Sequence, residues 1–490
     1  MNNWNWKTEN EVFLQNSIKR CRDKKIVLPT FKQLKDPKSI PSKIQNKLEN
    51  IDLNELHPLN LFRINWRNDV NTGKIGGINY LEIPKEITGV KARIIGLCGK
   101  YFPTGAHKVG ATYGCLAPYL VTGRFNPDAH KAVWPSTGNY CRGGAFNSAL
   151  LSVHAVAILP EEMSKERFDW LKEIGAEVYA THGCESNVKE IYDKCHELEA
   201  KGDEYLIFNQ FDQFGNPIWH YTVTGSTIED LFNQIKKDGQ RLSGYVSATG
   251  SAGTIGAGDY LREKFPLVNV TASEALQCPT LLLNGFGAHR IEGIGDKHIP
   301  WVHNVKNTDS VAAINDEHPL RSLRLFNEPE GKQYLSGLGV DETTIGRLAD
   351  MGISSHSNLI SAIKQAKYYE YNENDVIFTI FTDSVNMYKS RLEEMTNDWG
   401  KYSIKQAELD WNIAIKNQSI DYFKELSYYD KKTIHNLKYF TWVEQQGKSV
   451  EELNAQWYDE NYWKERFGVV PEWDKLIEQF NDEVGIENTL

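Results

Sequence analysis

Three things are scarce in this sequence, and each scarcity narrows what the chain does. It has no apolar run approaching the roughly 20 residues that a membrane-spanning helix needs. The N-terminal stretch MNNWNWKTENEVF is polar and acidic, where a secretion signal would be basic and then apolar. Both points predict a cytoplasmic location and no membrane partner. Surplus positive charge is also lacking: 55 lysines and arginines face 65 aspartates and glutamates, a net charge of −10. With no basic cluster interleaved with aromatics, nucleic acid is not an expected partner. Cysteine is sparse and poorly spaced for chemistry. Cys21, Cys98, Cys115, Cys141, Cys184, Cys195 and Cys278 form an odd, scattered set with no C-x-x-C and no histidine pair at zinc spacing. The expectation is reduced, buried thiols and no metal site. Cys141 follows a glycine-rich turn, but packing is expected there over a nucleophilic role.

At 490 residues, with 40% hydrophobic and 24% charged residues, the chain reads as a globular protein of about two or three domains. Residues 1–75 are rich in Lys, Asn and Glu, carry helical fragments around Val12 to Arg22 and Ile44 to Ile51, and hold no catalytic constellation. Residues 76–394 alternate short apolar strands with helical patterns, the signature of a parallel α/β sheet. Within them Ala132-Val133-Trp134, Ala155 to Leu159 and Glu177 to Ala180 read as strands, with helices over Gly143 to Val153 and Ser164 to Ile174, the second capped by Ser164. Residues 395–490 hold six of the 13 tryptophans, at helical spacing. That composition predicts a helical extension packed on the core or on a neighbouring subunit.

Four turns carry candidate chemistry. In KYFPTGAHKVGATYG (residues 100–114) a strand runs into the breaker Pro103-Thr104-Gly105, and Lys108 opens a helix of small residues. A lysine so placed points from a rigid turn into a crevice and is a candidate Schiff-base lysine. Ser136-Thr137-Gly138-Asn139 joins a strand to a helix, and backbone N–H groups at such a helix start suit a carboxylate. Ser247 to Thr254 follows the strand Gly244 to Val246 and opens a helix through Tyr260 and Leu261. It lacks the ending of a nucleotide P-loop and the spacing of a dinucleotide fingerprint, so a small phosphorylated cofactor fits it better. The strand Val376 to Phe381 delivers Thr382-Asp383-Ser384 at its carboxyl end, the edge where open α/β sheets bind ligands. Alternation along that strand sends Asp383 and Ser384 to opposite faces.

Taken together and in order, these stretches resemble the fold-type II pyridoxal-phosphate-dependent enzymes (the tryptophan synthase β-like superfamily), and within them the cysteine synthase and cystathionine β-synthase branch. PTGAHK resembles the cofactor-lysine motif, in wording nearest the tryptophan synthase β chains. PEEMSKERFDWLKEIGA (residues 160–176), Gln213-Phe214-Gly215-Asn216-Pro217 with Thr224-Gly225, Ile291 to Gly295, Gly352 to Ser355 and Thr382 to Ser384 are similar to that branch's later motifs. The resemblance implies a two-domain parallel-sheet α/β fold, with a smaller subdomain at about 110–225 set into the larger one and mainly helical N- and C-terminal extensions. It implies pyridoxal 5'-phosphate as cofactor and a homodimer. It assigns Lys108 as the catalytic residue. Asn139, Gly250, Ser251, Ala252, Gly253, Thr254 and Ser384 would bind the cofactor, and Ser136, Thr137, Gly138, Tyr140 and Gln213 the substrate. Val109-Gly110 after the lysine, Ala252 in place of a glycine, Tyr140 in place of a small hydroxyl residue and His356 in place of a glycine depart from the pattern. Tyr140 and His356 are expected to reshape the substrate pocket.

The activity implied is β-replacement or β-elimination on a serine- or cysteine-type amino acid through an aminoacrylate intermediate. A neutral serine at the ring nitrogen favours this over transamination. An amino-acid dehydratase or diamino-acid ammonia-lyase is the nearest alternative, and a non-catalytic subunit of the same fold the next.

Overall fold

The computed structural model describes residues 7–136, 138–163, 165–183, 188–295 and 297–486. Among the described residues there are eleven strands: β1 (Tyr80–Ile83), β2 (Arg93–Cys98), β3 (Lys131–Pro135), β4 (His154–Pro160), β5 (Glu177–Thr181), β6 (Tyr205–Ile207), β7 (Arg241–Ala248), β8 (Asn269–Ala275), β9 (Ser310–Ile314), β10 (Asp375–Phe381) and β11 (Phe423–Glu425). They form two sheets, one of seven strands in the order β1-β2-β10-β7-β8-β9-β11 and one of four in the order β5-β4-β3-β6. The smaller sheet is parallel throughout, and β2, β10, β7, β8 and β9 form a parallel block in the larger one. Every residue of β10 is buried, as expected of a parallel strand covered on both faces, and this explains its unbroken apolar reading.

The helices that position the site are α1 (Glu11–Asp23), α2 (Lys108–Val121), α3 (Asn139–Leu150), α4 (Lys165–Glu173), α5 (Ile255–Lys264), α6 (Ile353–Tyr368) and α7 (Val470–Val484). The small residues of α2 have a physical reason. A Cβ on Gly114 would collide with the carbonyl oxygen of Gly215, and a Cβ on Gly215 with that of Gly114. Backbone meets backbone there, and only glycine permits it. Helix α3 begins at Asn139, earlier than the expected Gly143, while Ser164, the expected cap of α4, lies outside the described residues.

The C-terminal aromatics pack on this chain's own core. Trp442 is fully buried and donates to Ile299 O at 2.7 Å, and Trp411 Nε1 donates to Ile87 O at 2.9 Å. The two terminal regions also bind each other. Asn481 of α7 brackets Leu28 with two hydrogen bonds (3.0 and 2.8 Å), and the Asp474 carboxylate accepts from Phe31 N and Lys32 N. The C-terminal region is not wholly helical, because its β11 adds an antiparallel edge strand to β9. A three-residue strand is too short for periodicity to reveal.

Asp259, buried in α5, accepts from Asn304 Nδ2 at 2.6 Å and Asn307 Nδ2 at 2.8 Å. Burial pushes its carboxyl up to about 7, with the two amides working against the shift. The native state therefore holds this proton more tightly than the unfolded chain does. The stability it lends is present below the ordinary aspartate value of about 4 and is lost as pH rises through about 7. Asp259→Asn is expected to flatten the fall in thermal midpoint across that window. An unchanged slope in the variant would show that Asp259 does not titrate there.

Candidate active site

Lys108 stands at the first position of α2, just past the Pro103-Thr104-Gly105 turn. Thr104 holds φ 68° there, a left-handed conformation that costs a β-branched residue on the order of 1–3 kcal/mol. Its N–H donates to Asn54 Oδ1 at 2.8 Å, so a residue of the N-terminal region braces the turn. Lys108 Nζ donates to Ser251 Oγ at 2.8 Å and lies 3.5 Å from Gln210 Oε1. Ser251 Oγ also accepts from Asn216 Nδ2 at 3.1 Å, and Gln210 Nε2 donates to Ser136 Oγ at 3.3 Å. The lysine amine is thereby tied to the turn after β3, the turn after β7 and the segment after β6, all at the carboxyl ends of parallel strands.

Gly250 to Thr254 connects β7 to α5, with Ser247 Oγ and Tyr245 Oη bonded to Thr254 (both 2.7 Å) to fix its shape. Among the described residues, none of the backbone N–H groups from Gly250 to Thr254 donates a hydrogen bond. Buried N–H groups are nearly always satisfied, and such a row at a helix N-terminus is the arrangement that binds a phosphate. Ala252 adopts φ 56° within it, the left-handed conformation a glycine would take without strain.

A second cluster adjoins the first. Asn139 Nδ2 donates to Asp383 Oδ2 at 2.6 Å, and Tyr388 Oη to the same oxygen at 2.8 Å. Arg167 lies 3.3 Å from Tyr388 Oη and pairs with Glu292 at 3.2 Å, and Glu292 in turn meets Arg391 at 2.8 Å. A Cβ on Gly138 would strike the Arg167 guanidinium, so the Ser136 to Asn139 turn rests directly on this buried cation. Burial raises the Asp383 carboxyl above its ordinary range, while the Asn139 hydrogen bond and the Arg167 charge hold it down. Strand alternation does not sort Asp383 from Ser384, because β10 ends at Phe381 and both residues lie past its pleat. Ser384 is buried and lines a cleft of about 1020 Å³ with Thr104 and Gly105.

Not every expected residue arrives. No hydrogen bond joins Gln213 to Lys108, and it is the Gln210 amide oxygen that lies at the lysine amine. The pair Gln-Phe occurs twice, at 210–211 and 213–214. Only the second copy has the Q-F-x-N-P spacing, which is why sequence matching selects it. Tyr140 is not a pocket wall. It is 1% exposed, packs edge-on to Trp134 and donates to Cys115 Sγ at 3.5 Å. One step along α3 rotates it about 100° from Asn139 and into the core. His356 likewise packs against Phe326 inside α6. Thr137 and Cys184 lie outside the described residues, and the other six cysteines are buried and form no disulfide with one another. Burial pushes the Cys141 thiol up to about 12, which suits packing and not nucleophilic attack. Tyr140→Phe should cost about 1 kcal/mol, the net worth of one hydrogen bond, and leave the ranking of substrates unaltered. A reordered ranking by kcat/KM would return Tyr140 to the pocket.

The family model described as "Pyridoxal-phosphate dependent enzyme" matches residues 75–331. A probable cysteine synthase of Bacillus subtilis is 32% identical over 230 residues, 47% of this chain and 72% of that protein. The cystathionine beta-synthase of Saccharomyces cerevisiae is 26% identical over 329 residues, 65% of this chain and 61% of that protein. Among solved structures, O-acetyl serine sulfhydrylase isoform 3 of Entamoeba histolytica superposes with a TM-score of 0.57 at 21% identity, covering 70% of this chain and 94% of the other. That likeness shows a shared fold.

Proposed function

From the premise that this chain belongs to the pyridoxal-phosphate dependent enzymes, we propose that it catalyses β-replacement or β-elimination on a serine- or cysteine-type amino acid. The observation that carries this reading is Lys108 Nζ held on Ser251, a residue of the loop whose N–H groups donate to nothing among the described residues. An amine and a phosphate cradle, one on each side of one hydrogen bond, fit the two ends of pyridoxal phosphate. Gly250 to Thr254 would hold its phosphate, Asn139 and Ser384 would border its ring, and Lys108 would anchor it. When bound, this cofactor supplies an electron sink for the charge left on Cα.

The chain's own residues do the rest. Lys108 Nζ takes the α-proton, and Ser251 Oγ and Gln210 Oε1 orient that amine. Ser136 and the Gln210 amide bind the substrate carboxylate, a role that passes from Gln213 to Gln210. The pair left by the Cα–H bond forms the Cα–Cβ double bond as the β substituent departs with its own pair. In replacement a thiol then adds to Cβ and Cα regains a proton from Nζ. The same reading includes a homodimer, and a cytoplasmic location that suits six buried cysteines forming no disulfide with one another. No helix among the described residues is long and apolar enough to cross a membrane.

Assaying serine, O-acetylserine, cysteine and diaminopropionate, with and without sulfide, tests the reaction class. Turnover of serine or diaminopropionate to ammonia with no response to sulfide would replace this reading with a dehydratase or ammonia-lyase. Gln210→Ala is expected to raise KM for every amino-acid substrate roughly 10- to 150-fold, the equivalent of about 1.5–3 kcal/mol for a hydrogen bond to a charged group. Gln213→Ala should leave KM unchanged, and the opposite pattern would restore the original assignment.

A further inference from the structure

Arg142, one turn along α3 from Asn139, is 5% exposed, and among the described residues no carboxylate touches it, Asp383 acting on it only through space. Its guanidinium carbon lies 4.5 Å over the Trp170 ring, and Nη1 is 3.1 Å from Met387 Sδ, a weak acceptor. Its Nε has no hydrogen-bond partner, and among the described residues the side chain forms no ion pair. Among the described residues the other buried arginines each have a carboxylate or a backbone carbonyl on the guanidinium. Arg63, on the wall of the same cleft, donates to the carbonyls of Leu48, Ile51 and Gly73. Arg167 pairs with Glu292. A buried cation with no carboxylate in contact costs several kcal/mol, so one facing a cleft points to an anion that arrives from outside.

That cleft, about 1020 Å³ in volume, is bordered on one side by residues 49–54 and 68–73 of the N-terminal region and on the other by Thr104, Gly105, Ser384 and Met387. It therefore reaches the Lys108 turn and Ser384 from the side that the N-terminal region covers. Burial and the neighbouring Arg167 charge bring the Arg142 pKa down to about 10, which still leaves the group cationic at neutral pH.

We propose that Arg142 binds a carboxylate distal to the reacting centre, so that the enzyme takes a second substrate or a donor carrying an acid group besides the α-carboxylate. Arginine suits this because its planar fork matches a carboxylate edge. Trp170 covers one face of the guanidinium and leaves its edge for the ligand. The inference rests on the proposed β-replacement reading for its consequence, though not for the binding itself.

Two arms separate the sources of the carboxylate. With O-acetylserine as donor, 3-mercaptopropionate and 1-propanethiol compare nucleophiles that differ at the acid group. With sulfide as nucleophile, O-succinylserine and O-acetylserine compare donors. Wild type is expected to prefer the acidic member in at least one arm, and Arg142→Met to lower that preference tenfold or more in kcat/KM. Independently of turnover, calorimetric titration of the holoenzyme with succinate should show saturable binding that Arg142→Met abolishes and Arg142→Lys weakens. Should Arg142→Met fail to fold, the Arg142→Lys titration decides: affinity equal to wild type overturns the proposal. Absence of succinate binding to wild type, or equal binding by wild type and Arg142→Met, also overturns it. Loss of turnover with every donor would instead refute the reaction class, while the succinate titration still decides the carboxylate site.

Discussion

Lys108→Ala is expected to abolish turnover and the covalent attachment of pyridoxal phosphate together. A positioned proton-transfer group is worth roughly 10²–10⁴-fold by itself, and this variant removes the anchor as well. No described side chain is placed to take over. Lys108 Nζ sits on Ser251 within the ring of Gln210, Asn216 and Ser136, none of which carries an amine. The buried arginines at the site, Arg142 and Arg167, carry guanidinium groups that neither form the link nor accept a proton at neutral pH. Borohydride reduction followed by peptide mapping checks this. The cofactor mass should appear on the Lys108 peptide of wild type and on no peptide of the variant. Labelling of a different lysine, or full activity in Lys108→Ala, would move the site elsewhere in the molecule.

What could be read from the sequence follows a physical line. The turns at Lys108, Ser136 to Asn139 and Gly250 to Thr254 were legible because each is a local device, a breaker or glycine-rich turn at a strand's end, whose meaning depends on its immediate neighbours. The parallel block of the larger sheet was legible for the same reason, since strands buried on both faces read as unbroken apolar runs. Side-chain direction was not. Gln210 and Gln213 both follow the pattern of a polar residue before phenylalanine, and only the fold decides which one faces Lys108. Tyr140 looked like a pocket wall because it follows Asn139, yet the helix begins at Asn139 and turns the next residue inward. Arg142 gave no signal at all, because a lone arginine in a small-residue helix carries no spacing to match. The N-terminal region appeared free of chemistry, but Asn54 braces the turn before Lys108 and residues 49–54 and 68–73 wall the cleft. Contacts between residues so distant in sequence leave no local pattern.

Replacing Arg167 with methionine should be the most damaging change to stability at the site. Arg167 is 1% exposed, pairs with Glu292, contacts Tyr388 Oη and supports Gly138, so one cation serves two buried acids and the substrate turn. Breaking a buried pair costs about 3–5 kcal/mol, because the surviving charge stays buried without its partner. Glu292 keeps Arg391 at 2.8 Å, which places the expected loss toward the lower end, about 3 kcal/mol. Asp383 has no such second cation in contact. Burial already raises its carboxyl and Arg167 opposes that rise, so the variant should raise it further. A carboxyl whose folded value lies above its unfolded one lends stability below the unfolded value and loses it as pH rises through the folded one. The gap between wild type and Arg167→Met in urea unfolding should therefore widen as pH rises above about 4. Asp383→Asn in the Arg167→Met background removes the titrating group and should restore a gap that is constant with pH, a coupling that the double-mutant cycle isolates. A gap already independent of pH in the single variant would mean that Arg167 supports the turn by packing alone and does not govern the charge on Asp383.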